Sequence, residues 1–90
     1  MSNVYVLEYH SYEYDDINIG DYKPFFISLN EQNVKDEFEK WKANGLSDIS
    51  KLDNAELFED TETTFEYSIG NWIYKYRIVS YPLDENLRHK

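Results

Sequence analysis

Thr64-Phe65-Glu66-Tyr67-Ser68-Ile69-Gly70-Asn71-Trp72-Ile73-Tyr74-Lys75-Tyr76 is the stretch that decides the fold. Phe65, Tyr67 and Ile69 alternate with Thr64, Glu66 and Ser68, the period of two that marks a half-buried strand. Gly70-Asn71 then makes a two-residue turn, with glycine at the first central position, where a type II′ hairpin needs positive φ. That turn sets a register: Ile69 faces Trp72, Tyr67 faces Tyr74 and Phe65 faces Tyr76. The result is an aromatic ladder on one face, each pair worth about 0.2–1 kcal/mol. The same register puts Glu66 opposite Lys75 on the other face, so both faces ask for one alignment. Tyr81-Pro82 ends the second strand, and 84–90 reads as a frayed tail.

Upstream of the hairpin, residues 46–60 are ambiguous. Ile49, Leu52 and Leu57 suit a helical turn or loop residues pinned under a sheet, and Glu56-Leu57-Phe58-Glu59 also suits the start of a strand. The expectation is a loop with a short helical turn. Before it lies a helix, because Val34, Phe38 and Trp41 fall at i, i+4 and i+7 as one apolar stripe. Two starts compete: Ser28 with Glu31 as a capping box, or Asn30 as the cap with Leu29 stapled onto Val34. Glu31 with Lys35 and Asp36 with Lys40 are i,i+4 pairs in the favourable order. Gly45 is placed as the left-handed stop, with Leu46 folding back onto the last turn.

At the N-terminus, Val4-Tyr5-Val6-Leu7-Glu8-Tyr9 is β-branched and aromatic, and its apolar residues on both faces describe a central strand. Tyr5, Leu7 and Tyr9 share one parity and Tyr12 and Tyr14 the other, which a bulge near His10-Ser11 would explain. Asp15-Asp16-Ile17-Asn18-Ile19-Gly20-Asp21 is turn chemistry. Pro24-Phe25-Phe26-Ile27 forms a short strand in which Pro24 is tolerable only at the start or on an edge. The order strand, strand, helix, strand, strand predicts an α+β domain: a four-stranded, mostly antiparallel sheet with one amphipathic helix packed on one face.

Ninety residues make one domain, and 41% apolar content is enough to fold it. Eighteen acids against nine bases give a net charge of −9, which argues against binding nucleic acid through phosphate neutralisation. The chain has no cysteine, so disulfides, thiolate catalysis and Cys-ligated zinc are excluded, and a reducing cytosol fits. No run approaches the roughly 20 apolar residues of a membrane span, and Met1-Ser2-Asn3 does not open a signal peptide. The expectation is a cytoplasmic protein with no membrane partner.

Catalysis has no residue set behind it. His10 is mid-strand and His89 lies in the basic tail; mid-strand, a structural role is the simpler reading. There is no glycine-rich phosphate cradle, nucleophile elbow or histidine pair at metal-ligand spacing. Glu13, Asp15, Asp16 and Asp21 do not match a twelve-residue calcium loop, and a solvated acidic turn accounts for them. No metal or cofactor is expected.

Charge layout is more informative. No Lys or Arg occurs in 1–22 or in 52–74. The first stretch carries Glu8, Glu13, Asp15, Asp16 and Asp21, and the second Asp53, Glu56, Glu59, Asp60, Glu62 and Glu66. Brought together, they would form one negative surface that speeds association with a basic partner and repels nucleic acid; apart, they merely keep the domain soluble. Nine Tyr, five Phe and two Trp cannot all be buried in so small a domain, and half-exposed tyrosines suit interfaces. Tyr9, Tyr12 and Tyr14, beside the acidic turn, are the candidate contact residues, whereas Tyr67, Tyr74 and Tyr76 read as the wall of the core.

Glu13-Tyr14-Asp15-Asp16 and Glu56-Leu57-Phe58-Glu59-Asp60-Thr61-Glu62 carry a resemblance of composition and charge layout. The chain resembles the small acidic inhibitors of bacteriophages and mobile elements, including DNA-mimic, anti-restriction and anti-CRISPR proteins, and bacterial immunity proteins. That resemblance implies a non-enzymatic protein, a monomer or homodimer, that occupies the basic site of a nuclease, defence factor or DNA-binding protein. Tyr9, Tyr12, Glu13, Tyr14, Asp15, Asp16, Asp21, Glu56, Glu59, Asp60 and Glu62 would be its contact set. Two rivals are an oligomeric nucleotide sponge, whose aromatics stack on a base while Lys75 or Arg77 holds phosphate, and a structural dimerisation module.

Overall fold

The computed structural model describes residues 3–14 and 22–83. Its elements are β1 (Asn3–Glu13), β2 (Lys23–Ser28), α1 (Glu31–Lys51), β3 (Ala55–Asp60), β4 (Thr64–Ile69) and β5 (Trp72–Pro82). The five strands form one antiparallel sheet in the order β2-β1-β5-β4-β3, with β1 and β5 at the centre and β2 and β3 as outer strands. The class is α+β as expected, but there are five strands rather than four and the order is ββαβββ rather than ββαββ.

The hairpin adopts the register that its sequence demands: Ile69 faces Trp72, Tyr67 faces Tyr74, Phe65 faces Tyr76, and Glu66 faces Lys75. Gly70 has φ of 60°, and no non-glycine described residue has positive φ, the II′ signature at Gly70-Asn71. Tyr67 and Tyr74 stack with ring centroids 5.2 Å apart.

The strand missed in the sequence is β3. It runs antiparallel to β4, with Ala55 facing Ile69 and Leu57 facing Tyr67; a register shift between Leu57 and Glu59 leaves Phe58 as the extra residue. Its apolar pair, Leu57-Phe58, is flanked by acids and bulged, so neither period of two nor period of 3.6 is visible there.

The helix is also longer than its stop signal suggests. It runs through Gly45 to Lys51 and is capped by Leu52, whose N–H donates to the Asp48 carbonyl at 3.1 Å. Gly45 is therefore a contact residue rather than a terminator. A Cβ there would lie 2.5 Å from Phe65 Cε2 and 2.9 Å from Tyr67 Cε1, so only glycine lets the helix backbone come down onto those rings. At the start, Asn30 is the cap, its Oδ1 accepting from Gln32 N at 2.9 Å, while Ser28 Oγ accepts from Asn30 N at 3.0 Å. Leu29 is exposed and does not staple Val34. Glu31 pairs with Lys35 at 3.7 Å, but Lys40 turns to Glu37 (3.2 Å) rather than to Asp36, which accepts from Gln32 Nε2 instead.

Register places Tyr5, Leu7 and Tyr9 of β1, the odd residues of β4 and the even residues of β5 on the helix side. The core there is Leu7, Val34, Phe38, Phe65, Tyr67 and Tyr76. The β1–β5 register is unbroken from Asn3/Pro82 to Glu13/Trp72, so no bulge occurs at His10-Ser11. The irregularity lies instead on the β2 side, where Leu7 faces Phe26 and Glu8 faces Pro24, making Phe25 the extra residue. Tyr12 is simply on the face opposite the helix. Strand β2 is an edge, as Pro24 requires.

The opposite face is polar but ordered. Arg77 Nε donates to Glu8 Oε1 at 2.8 Å, Tyr81 Oη donates to Glu8 Oε2 at 3.2 Å, and the guanidinium lies 3.5 Å from the centre of the Tyr22 ring. Glu8 is only 7% exposed, and Arg77 compensates its buried charge. His10 is packed between the rings of Tyr12 and Tyr22, at 4.9 and 5.1 Å, and its Nε2 has no hydrogen-bond partner among the described residues.

Candidate functional site: an acidic, aromatic end of the sheet

Topology gathers one set of candidates. The end of β1, the Gly70-Asn71 turn and the start of β3 lie at the same end of the sheet, since Glu13 faces Trp72 and Ala55 faces Ile69. Tyr14 N donates to the Asn71 carbonyl at 2.6 Å, and Gly70 N donates to the Asn54 carbonyl at 2.9 Å, tying these segments together. Tyr14 and Glu56 then share a hollow of about 420 Å³ with Phe58, Ser68, Gly70 and Asn71. Tyr14 is 68% exposed, and Phe58 and Trp72 are also largely open to solvent. Of the first acidic stretch only Tyr14 reaches this hollow, and of the second only Glu56 and Phe58.

Among the described residues, Glu13, Asp53 and Glu56 form no ion pair with Lys, Arg or His, whereas the acids further along β3 do. Glu59 lies 3.8 Å from Lys75, which also reaches Glu66 at 4.0 Å. Asp60 Oδ1 lies 2.8 Å from Lys42 Nζ, which donates as well to the Thr61 carbonyl at 2.7 Å and approaches Glu39 at 3.7 Å. Thus Glu59 and Asp60 spend their charge inside the fold. Glu62 is in the turn between β3 and β4, at the other end of the sheet; the six residues of β4, at ~3.3 Å each, put roughly 20 Å between the two ends. It borders a separate groove of about 550 Å³ between that turn and the first half of the helix.

The remaining candidates are dispersed. Tyr9 is on the helix side, its ring 5.0 Å from that of Tyr76, while Tyr12 is on the opposite face, its ring 4.9 Å from that of His10. Asp15, Asp16 and Asp21 lie outside the described residues. Phe58 and Asn71 line the hollow without having been foreseen. Their signal was present in the turn that Asn71 occupies, but Phe58 could be placed only by knowing that β3 is a strand.

Among the described residues, four groups titrate away from their ordinary values. Burial pushes the Tyr67 phenol up to about 12, with Asp48 adding to it, and burial likewise raises Tyr76. Tyr81 is raised by the Glu8 carboxylate beside it. Glu37 is held below the usual carboxylate range, first by the indole N–H of Trp41 donating to it and then by Lys40. All four serve packing or ion pairs, and none is at the Tyr14–Glu56 hollow. Among the described residues no group of three His, Asp or Glu could hold a metal ion, and no described helix is long and apolar enough to cross a membrane.

No family model, curated protein or solved structure matches the chain. Any assignment of function therefore rests on the site's own chemistry: exposed rings, the Glu56 carboxylate and a shallow hollow.

Proposed function

We propose that this protein is a cytoplasmic, non-enzymatic interaction module that occupies a basic site on another protein, such as a nuclease, a defence factor or a DNA-binding protein, and so inhibits it. The observation that carries the reading is the hollow shared by Tyr14 and Glu56, whose carboxylate forms no ion pair among the described residues. Glu56 stands in for a phosphate, and Tyr14 and Phe58 supply desolvated contact area. Attraction to the acids raises the association rate and is screened by salt.

Affinity capture from a host lysate at low and high salt, followed by mass spectrometry, tests it. The expected result is a basic partner retained at low salt, released at high salt, and bound about tenfold more weakly by Glu56→Lys. Glu62→Lys, with the same charge change at the far end of the sheet, should bind as the parent does. Capture of only neutral or acidic proteins, or equal loss in both variants, refutes the proposal.

A further inference from the structure

The helix side holds a second hollow, of about 200 Å³, lined among the described residues by four aromatic rings: Tyr9, Phe25, Trp41 and Tyr76. Each comes from a different element, and the β2 bulge makes Phe25 an extra residue in its strand. The Phe25 ring stands at 88° to Tyr9, 87° to Trp41 and 70° to Tyr76, with centroids 6.4, 5.5 and 6.1 Å away. Trp41 and Tyr76 lie nearly parallel, at 23° and 5.9 Å. Two rings at right angles with centroids about 6 Å apart form a corner wide enough for both negative π faces to border the space between them.

The surroundings add to that potential. The indole N–H of Trp41, the positive edge of that ring, is taken up by Glu37 Oε2 at 3.0 Å. This bond, with Lys40 second, keeps the Glu37 carboxyl below the usual range and therefore ionised. Lys40 is largely exposed and 3.2 Å from Glu37, a surface pair that an incoming cation can displace at little cost.

We propose that this aromatic hollow is a receptor for a methylated ammonium group. Cations are attracted to ring faces, and quaternary ammonium recognition is the common use of such clusters. The lining favours a methylated cation: against four ring surfaces a bare ammonium or guanidinium trades most of its hydrogen bonds to water for a tyrosine hydroxyl or Glu37 at the rim, whereas a trimethylated nitrogen has only methyl surface to desolvate. The volume is below the roughly 300–1,000 Å³ of sites that enclose whole ligands, so the hollow takes one headgroup. It lies on the face of the sheet opposite the Tyr14–Glu56 hollow, and the inference is independent of that site and of any protein partner.

Trp41 fluorescence in a Trp72→Phe background reads the site directly. Choline should produce a saturable change at constant ionic strength, while dimethylbutanol, its neutral carbon isostere, should bind about tenfold more weakly. Phe25→Ala should abolish the response without altering the circular dichroism. If that variant unfolds, Phe25→Leu keeps the bulk and removes the π face. Glu37→Gln should weaken choline severalfold and leave the isostere unaffected. A trimethyl-lysine peptide binding as choline does identifies a free headgroup as sufficient; tighter binding identifies a modified side chain as the source. Equal binding of choline and the isostere, undiminished binding by the Phe25 variants, or no saturable change with either choline or the peptide overturns the proposal.

Discussion

Replacing Gly45 with alanine should destabilise this protein, although the same change in an exposed helix gains about 0.8–1 kcal/mol of helix propensity. The added Cβ would sit 2.5 Å from Phe65 Cε2, 2.9 Å from Tyr67 Cε1 and 3.0 Å from Phe65 Cζ. Phe65 is 0% exposed and Tyr67 is buried, so neither ring can swing out, and the helix must lift or the rings must leave their rotamers. Overpacking of this kind costs about 1–3 kcal/mol, and contact with two fixed rings puts it at the upper end. The net loss is then about 1–2 kcal/mol, a fall in Tm of roughly 4–16 °C for a domain of this size. Thermal and urea unfolding of Gly45→Ala, Phe65→Leu and the double variant give the decisive measurement. Leucine lacks the clashing ring atoms, so the double variant should be more stable than the sum of the single losses by about 1 kcal/mol. A capping glycine would behave otherwise: it would tolerate asparagine and show no coupling to Phe65. An additive cycle, or a rise in Tm for Gly45→Ala, would refute the idea that glycine is there for close approach.

Lys42→Met keeps the stem over Phe38 but removes the bonds to Asp60 and the Thr61 carbonyl; a loss of about 1–3 kcal/mol in urea unfolding is expected, because the Lys42 side chain is only 12% exposed. Arg77→Met should cost about 2–3 kcal/mol by leaving Glu8 buried without its counter-charge, and adding Glu8→Gln should return much of it, as a double-variant cycle will measure. Raising pH gives a third check. Folding raises the Tyr67 phenol from its ordinary 10.0 to about 12, so the folded state prefers the protonated form. That stability is fully present below pH 10 and is lost as pH climbs through about 12. Absorbance titration should therefore show tyrosines that ionise late and together with loss of near-ultraviolet circular dichroism, whereas independent titration of every tyrosine near 10 would contradict the burial of Tyr67 and Tyr76.

Some of this architecture is plain in the residues and some is not, for physical reasons. The β4–β5 hairpin could be read outright because turn chemistry, the aromatic face and the Glu66–Lys75 pair all select one register. The helix stripe of Val34, Phe38 and Trp41 was equally legible, since burial on one side of a helix leaves a 3.6 period. Gly45 misled because glycine has two uses, and its sequence neighbours cannot say whether it bends the chain or admits a ring. β3 was hidden because an outer strand with a bulge buries too little to show alternation. In the candidate site, Tyr14 and Glu56 were drawn together by strand order, which no local pattern encodes. Glu59 and Asp60 were lost to Lys75 and Lys42, partners 16 residues downstream and 18 upstream in the chain, which only the sheet and the helix crossing bring close.

Among the described residues, the two outer strands have backbone donors and acceptors with no neighbouring strand on one side, an invitation to strand addition by another molecule. β2 discourages it with Pro24 and Lys23, but β3 exposes Leu57 and Phe58 and relies on Glu56, Glu59 and Asp60 to keep copies apart. That guard is made of protons withheld. As acidity approaches the isoelectric point, about 4.5, the repulsion fades while the sticky pair remains. Mild acid should therefore drive edge-to-edge fibrils before it unfolds the domain, and part of the negative charge earns its place as insulation whatever the protein binds.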